Sequence, residues 1–243
     1  MKIYGHRGAG GEAPENTIAA CLHAMERGAD YLEVDLRLSA DRQFVVIHDA
    51  TVNRTTYHKG RVNDFQAAEL AKMDARRIGP PWPRKKDCGV VTLDRLIKAT
   101  TGVKGYFLEI KHTRGIVYRE EAAVVADRFP TADSVKGCVI TSLDYKLLKE
   151  IRLIAPHIPL GFLSVTNDIM RKLDDFTFEH LILHWHGCNP FNIMKLHRLG
   201  IKVGAWTIND PLAIRALRGM KVDNVITDYP SMAIPLLASM ERK

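Results

Sequence analysis

From Val91 onward, short apolar runs alternate with amphipathic stretches of helical period, and this rhythm limits the fold more than any other feature. Strands are expected at Tyr106–Lys111, Gly137–Thr141, Leu160–Leu163, His180–His184, Lys202–Trp206 and Asn224–Thr227. Between and around them the period changes to helical at Leu93–Thr100, Ile116–Arg128, Tyr145–Ile154, Asp168–Leu173, Pro190–Leu199 and Pro211–Leu217, with a closing helix from Ser231. A strand at Ile3 and another over Tyr31–Leu38 bring the count to eight. Eight strands separated by helices are the α/β signature of a (β/α)8 TIM barrel, and 243 residues suit one such domain over 1–243.

The front of the chain departs from the rhythm. Ile18, Cys21, Leu22 and Met25 recur at helical spacing, with Asn16 expected as N-cap and Gly28 as the stop. Tyr31–Leu38 places Glu33, Asp35 and Arg37 on one face and Leu32, Val34, Leu36 and Leu38 on the other. The short polar stretch Ser39–Gln43 then leads into Phe44–Ile47, which predicts a hairpin. If Leu38 pairs with Phe44, Ile47 falls opposite Asp35 and His48 opposite Val34, which carries His48 to the carboxylates. Between about 49 and 90 the pattern is irregular and rich in Arg, Thr, Gly and Pro, with one short helix near Gln66–Met73. This stretch is expected to be a small insertion after the second strand.

Bulk properties exclude several classes. No apolar run is long enough to span a bilayer, and Met1-Lys2 leads straight into a strand-like segment rather than a signal peptide, so a cytoplasmic protein without stable membrane insertion is expected. Cys21, Cys88, Cys138 and Cys188 show no C-x-x-C spacing and are expected to be reduced packing thiols. The net charge of +7 is compatible with anionic partners. Its densest patches, Arg76-Arg77 and Arg84-Lys85-Lys86, lack the interleaved aromatics of a single-strand nucleic-acid surface, so no nucleic-acid partner is expected. Oligomeric state leaves no mark on the sequence.

The barrel reading turns scattered polar residues into one group, because strand ends converge at the C-terminal rim. His6, Glu33, Asp35, Glu109, Lys111, Trp206 and Asp228 all fall at or just past expected strand ends. Buried carboxylates are costly unless paired or metal-bound. Glu33, Asp35 and Glu109 therefore call for either a hard divalent cation, Mg²⁺ or Ca²⁺, or a salt-bridge network with Arg7, Arg37 and Lys111, and spacing leaves both open. His6 and His48 are the proton-moving candidates, and Arg7 and Lys111 add the fixed positive charge that a phosphoryl transition state requires. Trp206 can wall a small substrate. The pair His184 and His186 offers a rival metal site, but it has Asn189 and no acidic neighbour nearby and is expected to pack or to support other site residues.

His6-Arg7-Gly8-Ala9, Pro14-Glu15-Asn16-Thr17, Glu33-Val34-Asp35, His48-Asp49 with Arg54-Thr55-Thr56, Glu109-Ile110-Lys111, Trp206-Thr207-Ile208-Asn209 and Thr227-Asp228-Tyr229-Pro230 together resemble the glycerophosphodiester phosphodiesterases. The resemblance runs in order from end to end. It implies a TIM barrel with an insertion after the second strand, His6 and His48 as general acid and base, and Glu33, Asp35 and Glu109 as ligands of one divalent cation. It also implies Arg7 and Lys111 as phosphate contacts and Trp206 as a wall for the glycerol or alcohol group. The implied reaction releases sn-glycerol 3-phosphate and an alcohol from a small-molecule glycerophosphodiester. Two alternatives share these motifs: a lysophospholipase D-like enzyme at a membrane surface, and a barrel that binds a phosphorylated ligand without turnover. Leu143 in Ser142-Leu143-Asp144, His112 after Lys111 and Arg76-Arg77 after Met73-Asp74-Ala75 depart from the usual family pattern.

Overall fold

The computed structural model describes residues 1–165 and 178–241. Its strands are β1 (Lys2–His6), β2 (Tyr31–Leu38), β3 (Phe44–Val46), β4 (Gly105–Ile110), β5 (Cys138–Ser142), β6 (Leu160–Ser164), β7 (His180–His184), β8 (Lys202–Trp206) and β9 (Asn224–Thr227). The helices are α1 (Ile18–Glu26), α2 (Ala67–Leu70), α3 (Leu93–Ala99), α4 (Tyr118–Arg128), α5 (Tyr145–Ile154), α6 (Pro190–Arg198), α7 (Pro211–Gly219) and α8 (Pro230–Glu241). All strands except β3 are parallel neighbours, and β1 pairs with both β2 and β9, so eight strands close a (β/α)8 barrel. The expected helix at Asp168–Leu173 lies outside the described residues.

Alternation along each strand sorts the side chains. Leu32, Val34, Leu36, Leu108 and Ile110 point outward and join the cluster beneath the helices, which also takes Leu147 and Ile151 of α5 and Ile214 and Leu217 of α7. Inside the barrel, Tyr4, Phe107, Leu163, Ile182 and Ile226 form a separate apolar plug, with Tyr4 and Phe107 stacked at 4.0 Å. Burying an aromatic ring contributes about 2–3 kcal/mol, so the plug is a strong floor. The polar side chains of β1, β2 and β4 lie above it.

The hairpin forms in the expected register, with Leu38 opposite Phe44 and the Ile47 amide donating to the Asp35 carbonyl at 3.0 Å. One consequence differs from expectation. Glu33 and Asp35 are not at the end of β2 but within it, because β2 runs on past the rim to pair with β3. After β3 the chain makes its own apolar cluster of Val45, Ile47, Val52, Val62, Leu70, Met73 and Val90. The helix expected over Gln66–Met73 shortens to α2, where the Glu69 carboxylate accepts from the Gln66 amide at 2.8 Å.

The N-cap of α1 is Thr17, whose hydroxyl accepts from the Ala20 amide at 3.1 Å, and not Asn16. Asn16 takes a left-handed backbone (φ 57°) that aims its amide into the barrel mouth. Gly8, also left-handed at φ 84°, sits against α1 so closely that a Cβ there would lie 2.7 Å from the Ala20 carbonyl carbon. The four cysteines are unpaired, three of them buried. Among the described residues no helix is long and apolar enough to cross a membrane.

Candidate active site

His6 ends β1 pointing into the mouth. Its Nδ1 lies 2.6 Å from Oδ1 of Asp228, just past β9, and its Nε2 lies 3.8 Å from Glu33 Oε2. Asn209 fixes Asp228 twice, donating from Nδ2 to Oδ2 at 2.6 Å and accepting from the Asp228 amide at 2.9 Å. Burial works to lower the His6 pKa, but the Asp228 hydrogen bond and the Glu33 charge outweigh it, and the imidazole titrates above its ordinary value.

Glu33, Asp35 and Glu109 are all buried, and their ligand oxygens lie within 4.8 Å of one another. The register explains the convergence, since Asp35 pairs directly with Glu109 across β2 and β4, and His6 with Glu33 across β1 and β2. Burial and the neighbouring Asp35 charge push Glu33 and Glu109 well above the usual carboxylate range. Asp35 goes the other way: burial raises it, but Lys111 and Arg7 together hold it below its ordinary value. Lys111 Nζ lies 2.5 Å from Glu109 and 3.1 Å from Asp35, while Arg7 Nε lies 3.2 Å from Asp35.

Two expectations need refinement here. Of the three cations proposed for a salt-bridge network, Arg37 does not join the carboxylates; its Nε donates to the His48 carbonyl at 2.7 Å and braces the loop. His48 approaches the cluster closely enough for the Asp35 charge to act on it, yet its hydrogen bond runs to Asp49, 2.7 Å from Nδ1. Burial lowers the His48 pKa, with Arg7 and Lys111 adding to the effect against Asp35 and Asp49.

Several residues received no role at the site from the sequence. Asn16 donates to Asp35 Oδ2 at 2.8 Å and accepts from the Asp35 amide at 3.1 Å, which locks that carboxylate. Arg54, from the insertion, bridges Asp49 (2.6 Å) and Glu15 (2.7 Å), and Glu15 in turn holds Arg7 at 3.0 Å. The motif spacing flagged all of them, but only the fold shows that they form a second ring behind the first. Trp206, half-buried at the end of β8, stands edge-on to His184 at 6.2 Å, and its indole Nε1 has no hydrogen-bond partner. His184 and His186 do not share a strand face, because the chain turns into a 3-10 helix at Trp185.

The fit of a divalent ion can be tested on the side chains themselves. Lys111 and Arg7 compensate Asp35 and Glu109, but Glu33 Oε1 is buried with no hydrogen-bond partner at all. An all-oxygen donor set with an unsatisfied carboxylate oxygen suits a hard divalent cation. Among the described residues this is the one acidic or histidine cluster with metal-ligand spacing. A cavity of about 900 Å³ at the opposite end of the barrel, lined by Lys2, Lys136, His180 and Lys202, contains none of these groups.

Comparison with known proteins agrees with the geometry. The model of the glycerophosphoryl diester phosphodiesterase family matches residues 6–232. The chain is similar to YhdW of Bacillus subtilis, at 34% identity over 96% of this chain and 97% of the relative. A glycerophosphodiester phosphodiesterase of Caldanaerobacter subterraneus subsp. tengcongensis is 31% identical, with 97% of each chain covered. Among solved structures, a phosphodiesterase of Oleispira antarctica in complex with the product sn-glycerol-3-phosphate superposes with a TM-score of 0.86. It is 25% identical and covers 98% of this chain and 97% of its own. The chain belongs to the glycerophosphoryl diester phosphodiesterase family.

Proposed function

We propose that this protein hydrolyses glycerophosphodiesters to sn-glycerol 3-phosphate and an alcohol, with Glu33, Asp35 and Glu109 holding one divalent cation, Mg²⁺ or Ca²⁺. The observation that carries the reading is the buried three-carboxylate cluster beside His6 and within electrostatic reach of His48, where each imidazole has a carboxylate on Nδ1. The product complex of the Oleispira antarctica relative supports the substrate class. When bound, the cation would supply Lewis-acid polarisation of a phosphate oxygen.

The remaining work falls to the chain's own side chains. A carboxylate on Nδ1 fixes each ring and leaves Nε2 as the atom that exchanges a proton with substrate. His6 and His48 then serve as the acid and base, one taking a proton from the attacking hydroxyl and the other giving one to the leaving alkoxide. Arg7 and Lys111 present positive charge where negative charge grows on the phosphoryl oxygens. Trp206 walls the glycerol or alcohol group.

The test is a substrate panel of glycerophosphocholine, glycerophosphoethanolamine and glycerophosphoglycerol with Mg²⁺, with Ca²⁺ and with EDTA. Release of glycerol 3-phosphate that stops with EDTA and with His6→Ala is expected. Turnover indifferent to both would refute the reading, and a trapped cyclic phosphate would identify a glycerol hydroxyl as the first nucleophile.

A further inference from the structure

Exposed large apolar side chains are ordinary when scattered singly; here Leu153, Ile154 and Leu199 stand at the end where strands begin, but a larger group collects at the opposite end. Val117, Leu143, Trp185, Phe191, Leu212 and Tyr229 sit on the connections that follow β4, β5, β7, β8 and β9, all at the end that carries His6 and the carboxylates. Phe191 and Leu212 are the most open of these six, at 78% and 73% exposure. Each lies at the second position of its helix, after Pro190 and Pro211, so a helix N-terminus holds it up at the rim rather than against the barrel wall.

The same end carries unpaired positive charge. The insertion from 49 to 90 has nine Lys and Arg against five Asp and Glu, a surplus of four out of the chain's net +7. Arg84, Lys85 and Lys86 are exposed and make no ion pair among the described residues. Their loop is fastened beside the start of α1, where the Ala19 amide donates to the Asp87 carbonyl at 3.0 Å and Trp82 stands edge-on to His23. An apolar arc on one side of the mouth and a cationic loop on the other match the two layers of an anionic lipid surface. Phe and Leu side chains enter the acyl boundary while Arg and Lys stay with the phosphates.

We infer that the catalytic end of the barrel docks on anionic membrane surfaces, with Phe191 and Leu212 inserting and Arg84, Lys85 and Lys86 pairing with lipid phosphates. The mouth then faces the headgroup layer, where phosphodiesters of glycerol lie. This docking does not depend on which substrate is cleaved.

The test is cosedimentation of the intact protein with vesicles of phosphatidylglycerol and phosphatidylcholine, against phosphatidylcholine alone. Binding to the anionic vesicles at low salt is expected, falling several-fold in 0.5 M NaCl because exposed charges are screened within about 4–5 Å there. The double variant Phe191→Ser/Leu212→Ser should bind at least about tenfold more weakly, from the apolar area it no longer buries, and Lys85→Glu/Lys86→Glu should lose the salt-sensitive part. Both should turn over soluble glycerophosphocholine like the parent, which certifies their fold. Absent binding by the parent, or unchanged binding by Phe191→Ser/Leu212→Ser, overturns the inference. So does a loss confined to Lys136→Glu/Lys202→Glu at the other end. If no form hydrolyses glycerophosphocholine, the phosphodiesterase reading fails while vesicle binding still judges the surface, with circular dichroism certifying the fold.

Discussion

Replacing Glu33 with Gln should make the cation-free protein more stable and destroy its function. Two like charges 4.8 Å apart repel by about 3 kcal/mol at an effective dielectric of 20, and Glu33 faces both Asp35 and Glu109 within that distance. The repulsion has a ceiling, because the carboxyl can bind a proton instead. At pH 7 that costs about 1.4 kcal/mol for each unit above its ordinary pKa of about 4.3, or about 4 kcal/mol. Loss of attraction to Arg7 reduces the gain, while the Arg7 amide keeps an acceptor in the glutamine oxygen. A net gain of about 2–3 kcal/mol follows, a rise in Tm of about 4–12 °C for a chain of this size. The assay is thermal unfolding at pH 7 in EDTA and then in excess Mg²⁺ or Ca²⁺. The parent should gain about 3 kcal/mol from a cation present at a hundred times its Kd, and Glu33→Gln should gain almost none. A Glu33→Gln protein that melts below the parent in EDTA, or that keeps the cation-dependent rise, would refute the reasoning.

Three further outcomes are expected. Asp228→Asn should cut kcat by about 10²–10⁴ with little change in KM or Tm, since it leaves the His6 ring without its carboxylate while preserving shape; steady-state kinetics on glycerophosphocholine decide it. His180, buried at the N-terminal end and pushed down to about 4 by burial and Lys202, stays neutral in the folded protein while it charges in the unfolded chain below about pH 6.5. Its contribution is complete above that pH and is lost between about 6.5 and 4, about 3 kcal/mol in all, so urea titrations should show a shallower acid decline for His180→Gln than for the parent. Trp206→Ala should raise KM several-fold with a smaller effect on kcat if the half-buried indole at the end of β8 has the proposed role of walling the glycerol or alcohol group rather than moving a proton.

The barrel was legible because its strands are buried on both faces by different partners. Leu32, Val34 and Leu36 face helices and read as core, while Glu33 and Asp35 face a closed interior and read as a site. His180–His184, Lys202–Trp206 and Asn224–Thr227 end where their apolar runs end. Periodicity was blind to features set by tertiary contact. Asn16 has the composition of an N-cap, yet its amide is more valuable on Asp35, so Thr17 one position later takes the cap. The extension of β2 past the rim depends on β3 being there to pair with it. The Arg54 bridge between Asp49 and Glu15 joins three segments that are neighbours only after the insertion folds back over β2.

The same geometry explains why the carboxylates sit over the driest part of the barrel. Tyr4, Phe107, Leu163, Ile182 and Ile226 close the interior directly below them, so water cannot reach the cluster from the far end. That desolvation is what raises Glu33 and Glu109. On the proposed reading, a cation entering from the mouth would therefore meet carboxylates that have already lost their hydration and gain most by pairing. The chain supplies only enough internal positive charge, through Lys111 and Arg7, to hold Asp35 ionised and to soften Glu109. Glu33 Oε1 is left without a donor. More internal compensation would make the empty barrel more stable and a worse cation site, and replacing Glu33 by Gln measures that trade directly.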